Sequence, residues 1–284
     1  MADSISLTAP AKINLSLRIL GKRPDGFHEL ETFMVPIGLA DTVEVSHGVG
    51  RGIALTCNDP EIPLGAENLC VKAAEAFRAT TGLDHGIAIT LLKRIPHGAG
   101  LGGGSSDAAA VLKGLNEFFD HPLVDEELYQ IAASLGSDVP FFLGNGAAWC
   151  RGRGEILEPA SAPANRTLLL IKPPFAVPTA WAYKKYAELK ESGKLPDLAE
   201  KQFLGDLEIV NDLEAPVFDK YILLSVMKIW LREQLGVEST FMTGSGSTMV
   251  AVLALGSSAD QIAALKQGVV KKFGETMWMC QTGW

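Results

Sequence analysis

The stretch PHGAGLGGGSSDAAA, Pro96 to Ala110, constrains this chain more than any other segment. Five of the seven residues from Gly98 to Gly104 are glycine. Ordering glycine costs more chain entropy than ordering any other residue, so a dense run in an ordered chain needs a reason. A strand-like segment, GIAITLLKRI, precedes the run, and a helical one, SSDAAAVLKGLNEFF, follows it. A backbone without Cβ atoms can approach a ligand closely. Its successive N–H groups form an anion nest, and the N-terminus of the following helix adds partial positive charge. The run therefore reads as a loop that holds a polyphosphate. Ser105 or Ser106 is the expected N-cap, with Asp107 in the first turn. The two hydroxyls are further donors, to phosphate or to a metal ion.

Two common phosphate motifs do not fit. The pattern G-x-x-x-x-G-K-[ST] starts at Gly98 and Gly103 but places Gly104 where a lysine is required. The pattern G-x-G-x-x-G is matched by Gly98, Gly100 and Gly103, yet so many glycines satisfy many patterns. A dinucleotide loop also follows its buried strand directly; here Lys93, Arg94, Pro96 and His97 intervene.

The chain of 284 residues is long enough for two domains. Its net charge is −8 and no cluster of Lys and Arg stands out, which argues against a nucleic-acid or anionic-membrane partner. A phosphorylated small molecule remains compatible, because backbone N–H groups bind anions without net positive charge. Cys57, Cys70, Cys150 and Cys280 lie far apart with no C-x-x-C pair, as expected of reduced thiols. No H-E-x-x-H spacing occurs. The N-terminal segment lacks the unbroken apolar run of a signal peptide, and no apolar stretch is long enough to span a bilayer. A cytoplasmic protein is expected.

The segment AKINLSLRIL alternates. Ile13, Leu15, Leu17 and Ile19 are expected on one strand face, with Lys12, Asn14, Ser16 and Arg18 on the other. GKRPDGFHEL reads as a turn, and TFMVPIGLADTVEVSHG as strand, break, strand. ENLCVKAAEAFRATTG is a helix stopped by Gly82, and VDEELYQIAASLG a helix ending at Gly136. Composition shifts to Pro, Ala and Ser near residue 160, which suggests domains 1–160 and 161–284. The second half contains a buried-type strand, Leu168 to Ile171, helical stretches from Trp181 and Tyr221, and a Gly/Ser turn in FMTGSGSTMVAVLAL. Strands arrive partly in runs, so the class is α+β.

PHGAGLGGGSSDAAAVL resembles the phosphate loop of the GHMP kinases, and TGSGS resembles that superfamily's C-terminal glycine motif. APAKINLSLRILGKRPDGFHELETFM and GSDVPFFLGNGAAWCRGRGE resemble the branch whose acceptor is a cytidine diphosphate-linked methylerythritol. The likeness implies the GHMP kinase fold: an N-terminal domain like ribosomal protein S5 and a ferredoxin-like C-terminal domain. It also implies phosphoryl transfer from ATP as co-substrate, with Mg²⁺, in non-mevalonate isoprenoid precursor biosynthesis. By the resemblance Asp138 is the general base and Lys12 its cationic partner at the acceptor hydroxyl. Asp138 could otherwise cap a helix entered through Pro140, and Lys12 and Asn14 could be solvated residues on an exposed strand face. Pro96, His97, Gly98, Ala99, Gly100, Leu101, Gly102, Gly103, Gly104, Ser105 and Ser106 would hold the nucleotide, with Asn68 and Lys93 lining the adenosine pocket. Asn14, Phe27, His28 and Tyr183 would meet the cytidine substrate. Arg153 would lie near its diphosphate, or simply be an exposed hairpin residue. Phe27 departs from the tyrosine common at that position, which keeps stacking but loses a hydroxyl.

The metal ligands are left open, and either a monomer or a homodimer is compatible. A homoserine- or mevalonate-type kinase, or a silent nucleotide-binding relative, are the competing readings.

Overall fold

The computed structural model describes residues 3–196 and 201–284. Its backbone is built around a long antiparallel pair, β1 (Ser4–Lys22) and β2 (His28–His47). Then come β3 (Ile53–Cys57), α1 (Leu69–Thr81), β4 (Ile87–Leu92), α2 (Gly103–Phe118) and α3 (Asp125–Leu135). A 3₁₀ turn, Pro140–Leu143, leads to β5 (Ala148–Gly152) and β6 (Ile156–Pro159). The second half comprises β7 (Thr167–Lys172), α4 (Thr179–Glu191), β8 (Gln202–Leu204), β9 (Leu207–Asn211), α5 (Glu214–Lys220) and α6 (Ile222–Arg232). It closes with β10 (Val237–Met242), β11 (Met249–Leu253), α7 (Ala259–Phe273) and β12 (Trp278–Gly283). No helix among the described residues is long and apolar enough to cross a membrane. The four cysteines are unpaired.

Two sheets result. The first has the order β3-β4-β2-β1-β9-β8, with β5 on β2 and β6 on β5. The second, antiparallel, has the order β10-β11-β7-β12, which is the ferredoxin-like split βαββαβ arrangement. The run Leu168–Ile171 shows why the sheets pack. Leu168 and Leu170 face the first sheet, where Ile13, Leu15, Phe33 and Val35 meet them; Leu169 and Ile171 face the helices, where Leu224 and Met227 lie. A strand covered on both faces needs a continuous apolar run. A third core packs α1, α2 and α3 on the first sheet.

The expected alternation along β1 is broken. Ile13 and Leu15 enter the core between the sheets, but Leu17 and Ile19 join the core beneath the C-terminal helices. The cause is a register shift between Asn14 and Ser16, following another between Pro10 and Lys12. Such bulges bend a strand and re-aim its side chains. The expected break in β2 is not a chain break: Pro36 lies opposite Lys12 at the first shift, inside a continuous strand.

The shift of composition near residue 160 does mark the change from one sheet to the other, but β8 and β9 return to the first sheet. Ser16 and Leu17 pair with Val210 and Asn211 of β9. Asn211 is buried and pins the sheets together: its Nδ2 donates to the carbonyls of Met242 at 2.6 Å and Gly244 at 2.8 Å, and its Oδ1 accepts from the N–H of Leu213. Replacing Asn211 by Ala strands these buried groups. The expected loss is roughly 1–3 kcal/mol, read as a lower midpoint in urea denaturation with unchanged slope.

Candidate active site

The glycine stretch leaves β4 through Lys93–Ile95 and enters α2. Gly98, Gly100 and Gly102 adopt positive φ of 62°, 77° and 71°. The N-cap of α2 is Gly102, without a side-chain cap, so neither serine caps the helix. Ser106 already lies one turn inside, its N–H donating to Gly102 O at 2.9 Å. Asp107 lies beyond the first turn and is buried. Gly102 in the left-handed region turns the chain into the helix earlier than a serine cap would, and the first N–H groups keep no side-chain partner.

The loop lies against a second glycine loop, Thr243 to Ser247, which joins β10 to β11. A Cβ on Gly100 would stand 2.4 Å from Thr243 O and 3.0 Å from Gly246 O. One on Gly244 would stand 2.9 Å from Gly100 O. Thr248 N–H donates to Ala99 O at 3.3 Å, and Lys12 N–H to Leu101 O at 3.0 Å. The residues Thr243–Ser247 were visible in the sequence as a glycine motif, yet none was assigned to the site. Their paired glycines and hydroxyls were the available signal.

Lys12 and Asn14 are only 4% and 3% exposed, which removes the solvated-face reading. The stem of Lys12 lies against Gly102 and the ring of Phe142 lies on the same spot. Its Nζ donates to Asn14 Oδ1 at 2.7 Å and stands 3.5 Å from Asp138 Oδ2. Asn14 Nδ2 donates to Thr32 Oγ1 at 2.8 Å, and Thr243 Oγ1 contacts Asn14 Oδ1 at 3.4 Å. The Asn14 side chain, expected at the substrate, is thus engaged in holding Lys12. Asp138 is part-exposed and caps nothing: the 3₁₀ turn is entered from Val139. Gly154 borders Asp138, bringing the β5–β6 turn beside it.

Beyond Asp138 lie the rings. His28 and Tyr183 stack directly, with centroids 5.4 Å apart and planes at 26°. A base intercalated between parallel rings needs about twice the stacking distance of ~3.5 Å, so a ring between these two requires them to part. Phe27 is exposed, and the guanidinium of Arg153 covers it at 5.0 Å, which places Arg153 at the Gly26–His28 turn. Burial raises the Tyr183 phenol, with the charge of Asp138 adding to it. His28 Nε2 is buried without a hydrogen-bond partner. Burial, and then the charges of Lys22 and Lys190, pull the His28 pKa down.

Two expected nucleotide residues, Asn68 and Lys93, have protein partners. Asn68 is the N-cap of α1, accepting from Cys70 N–H at 2.8 Å and donating to Pro63 O at 2.7 Å. The side chain of Lys93 is 6% exposed and ion-paired with Asp41 and Asp107. Pro96 and Gly98 flank His97, which is exposed, at the outer end of the loop.

Paired glycine loops beside a buried lysine and a part-exposed aspartate, on two packed α+β units, have the arrangement of a phosphotransferase of the GHMP type. A family profile described as "GHMP kinases N terminal domain" matches residues 68–146. A 4-diphosphocytidyl-2-C-methyl-D-erythritol kinase of Methylacidiphilum infernorum is 47% identical over 254 residues, covering 88% of this chain and 87% of that one. A crystal structure of 4-(cytidine 5'-diphospho)-2C-methyl-D-erythritol kinase superposes with a TM-score of 0.78 at 34% identity, covering 99% of this chain and 100% of the other. The mevalonate kinase of L. major, 18% identical with a TM-score of 0.71 over 100% of this chain and 97% of its own, shares the fold. The chain belongs to the 4-diphosphocytidyl-2-C-methyl-D-erythritol kinase family.

Two outcomes follow from this geometry. Gly100→Ala forces a Cβ into the Thr243 carbonyl at a strained φ; a loss of roughly 1–3 kcal/mol is expected, seen as a lower melting midpoint. For His28 the depressed pKa means that the folded state favours the neutral ring. Its NMR titration midpoint should fall below the ordinary value of about 6.5, and stability should drop as pH falls through 6.5.

Proposed function

We propose that this chain transfers the γ-phosphoryl group of ATP to the 2-hydroxyl of 4-diphosphocytidyl-2-C-methyl-D-erythritol, giving ADP and the 2-phosphate. The observation that carries the residue assignment is the Lys12–Asp138 pair, 3.5 Å apart, with the stem of Lys12 lying against Gly102 at the end of the glycine loop.

The loop from Pro96 to Ser106 takes the triphosphate. Its uncapped helix start offers N–H groups where the charge accumulates. Thr243–Ser247 closes the opposite side. Phosphoryl transfer needs little covalent chemistry from protein; it needs alignment and charge stabilisation. Asp138 accepts the proton of the acceptor hydroxyl as the new O–P bond forms, and the bond to the β-phosphate oxygen breaks to release ADP. Lys12 supplies positive charge beside the transferring group. With its amine fixed by Asn14 and its stem packed on Gly102, little reorganisation is required.

Mg²⁺ in such reactions neutralises phosphate charge and is held largely by the nucleotide with one or two protein groups. The donors here fit that sparse demand. Asp138 and Ser105, both part-exposed, would supply the protein side of its coordination. Ser106 Oγ is buried.

Phe27, His28, Tyr183 and Arg153 form the cytidine diphosphate side. The unpartnered Nε2 of His28 suits the hydrogen-bonding edge of a base, the rings suit its faces, and Arg153 suits a phosphate.

ADP release measured with the diphosphocytidyl alcohol, mevalonate and homoserine tests the substrate. Turnover confined to the first is expected; preference for either of the others would overturn it. Asp138→Asn should lower kcat by ~10²–10⁴ with ATP affinity nearly intact, and unchanged turnover would remove Asp138 from the base role.

A further inference from the structure

Asp41, Lys93 and Asp107 come from three separate elements and meet in the interior. Their side chains are 0%, 6% and 3% exposed. Lys93 Nζ binds Asp41 Oδ2 and reaches Asp107 Oδ2 at 2.8 Å. Asp41, on β2, also accepts through Oδ1 from the N–H groups of Arg94 at 2.5 Å and Ile95 at 2.8 Å. Asn58 holds the backbone of Lys93 from the other side, accepting from its N–H at 2.7 Å and donating to its carbonyl at 3.2 Å. A Cβ on Gly103 would stand only 3.2 Å from the ammonium and 3.0 Å from Ile95 Cγ2, so this cluster lies directly behind the first residue of α2.

The placement matters because the phosphate loop has no internal scaffold. It is dense in glycine and its helix start is uncapped, so beyond the bonds at Ala99 and Leu101 its shape depends on how its two ends are held. Arg94 and Ile95 are its entry and Asp107 lies on its exit helix. One ammonium and one carboxylate tie both ends to β2.

Apolar packing of equal volume could stabilise the fold without buried charge, and a buried ion pair is weak evidence for stability alone. The charges do not balance either, since two carboxylates face one ammonium. Burial first, and then Asp41, push the Asp107 carboxyl up to about 7 despite Lys93, and its Oδ1 has no hydrogen-bond partner. Burial alone would lower Lys93, but the two carboxylates outweigh it and hold its pKa above the usual lysine value.

We infer that Asp41 and Asp107 are positioning residues for the ATP-phosphate loop, acting through Lys93 to fix the loop's entry and exit relative to β2. The inference rests on the assignment of the loop to ATP. It assigns Lys93 a place behind the loop backbone rather than at the open side of the nucleotide site.

The test is steady-state kinetics on the full chain with ATP and the diphosphocytidyl alcohol, comparing wild type with Asp107→Asn and Asp41→Asn, each checked for folding by circular dichroism. The KM for ATP should rise roughly ten-fold in each, the range seen when a supporting contact behind a binding group is lost, while the KM for the alcohol stays within about twofold. A general structural role would move both Michaelis constants together, and that result overturns the inference, as does an unchanged KM for ATP. If Asp41→Asn does not fold, Asp107→Asn decides alone, because it retains the Lys93–Asp41 pair and both backbone bonds. Wild type without turnover would instead sink the kinase reading, so the two failures are distinguishable. In wild type and Asp107→Asn, calorimetric titration with ADP should show the same ordering as the KM for ATP.

Discussion

The carbonyl of Thr243 occupies the place where any side chain at position 100 would begin, and the site depends on that approach of one backbone to another. The two loops belong to different sheets. They can touch because the sheets already share a core, into which Ile95, Ala99 and Leu101 of the first loop insert beside Leu168, Leu170 and Val250. Apolar burial sets the distance between the sheets, and glycine lets the loops close the remaining gap. Lys12 enters that gap from β1, aimed by the register shifts on either side of it.

The chain buries two lysines near the same loop and surrounds them differently. Lys93 has two carboxylates against its ammonium, so its charge is more than compensated. Lys12 has a neutral amide at 2.7 Å and one part-exposed carboxylate at 3.5 Å. A cation held with so little compensation in a site of low dielectric attracts an incoming anion strongly. The first arrangement suits support, and the second suits a reaction in which negative charge moves. Asn14 separates the two cases, since replacing its neutral amide by a carboxylate would turn the Lys12 environment into a copy of the other.

Much of this was legible in the sequence, and the reasons divide cleanly. The glycine run pointed to a tightly turned loop leading into a helix because local backbone chemistry favours it, and Gly98, Gly100 and Gly102 do take positive φ. The end of the first helix at Gly82 followed from capping rules, whereas the N-cap role of Asn68 is seen only in the structure. Lys12, Asp138, His28 and Tyr183 were named by resemblance to a family, because residues 126 positions apart in the case of the first pair leave no local trace. The N-cap was misplaced because serine is the usual signal, whereas Gly102 turns the chain earlier. The alternation of β1 was followed past Asn14 because a bulge has no signature in apolar–polar pattern. Asp41 carries no local signal and Asp107 reads in the sequence only as a first-turn acid; their partnership with Lys93 exists only after β2, β4 and α2 have packed.

The return of β8 and β9 to the first sheet bears on how such a protein can be divided. A fragment ending at residue 160 would lack the strand that pairs with Ser16 and Leu17, leaving an open sheet edge next to Lys12 and an uncovered apolar face around Ile13 and Leu15. Open edges and bare apolar faces promote aggregation. The first sheet is therefore completed only by strands from both halves. Recombination between relatives would tolerate exchange within exposed turns such as those at Gly50 or Gly256 more readily than exchange of the halves.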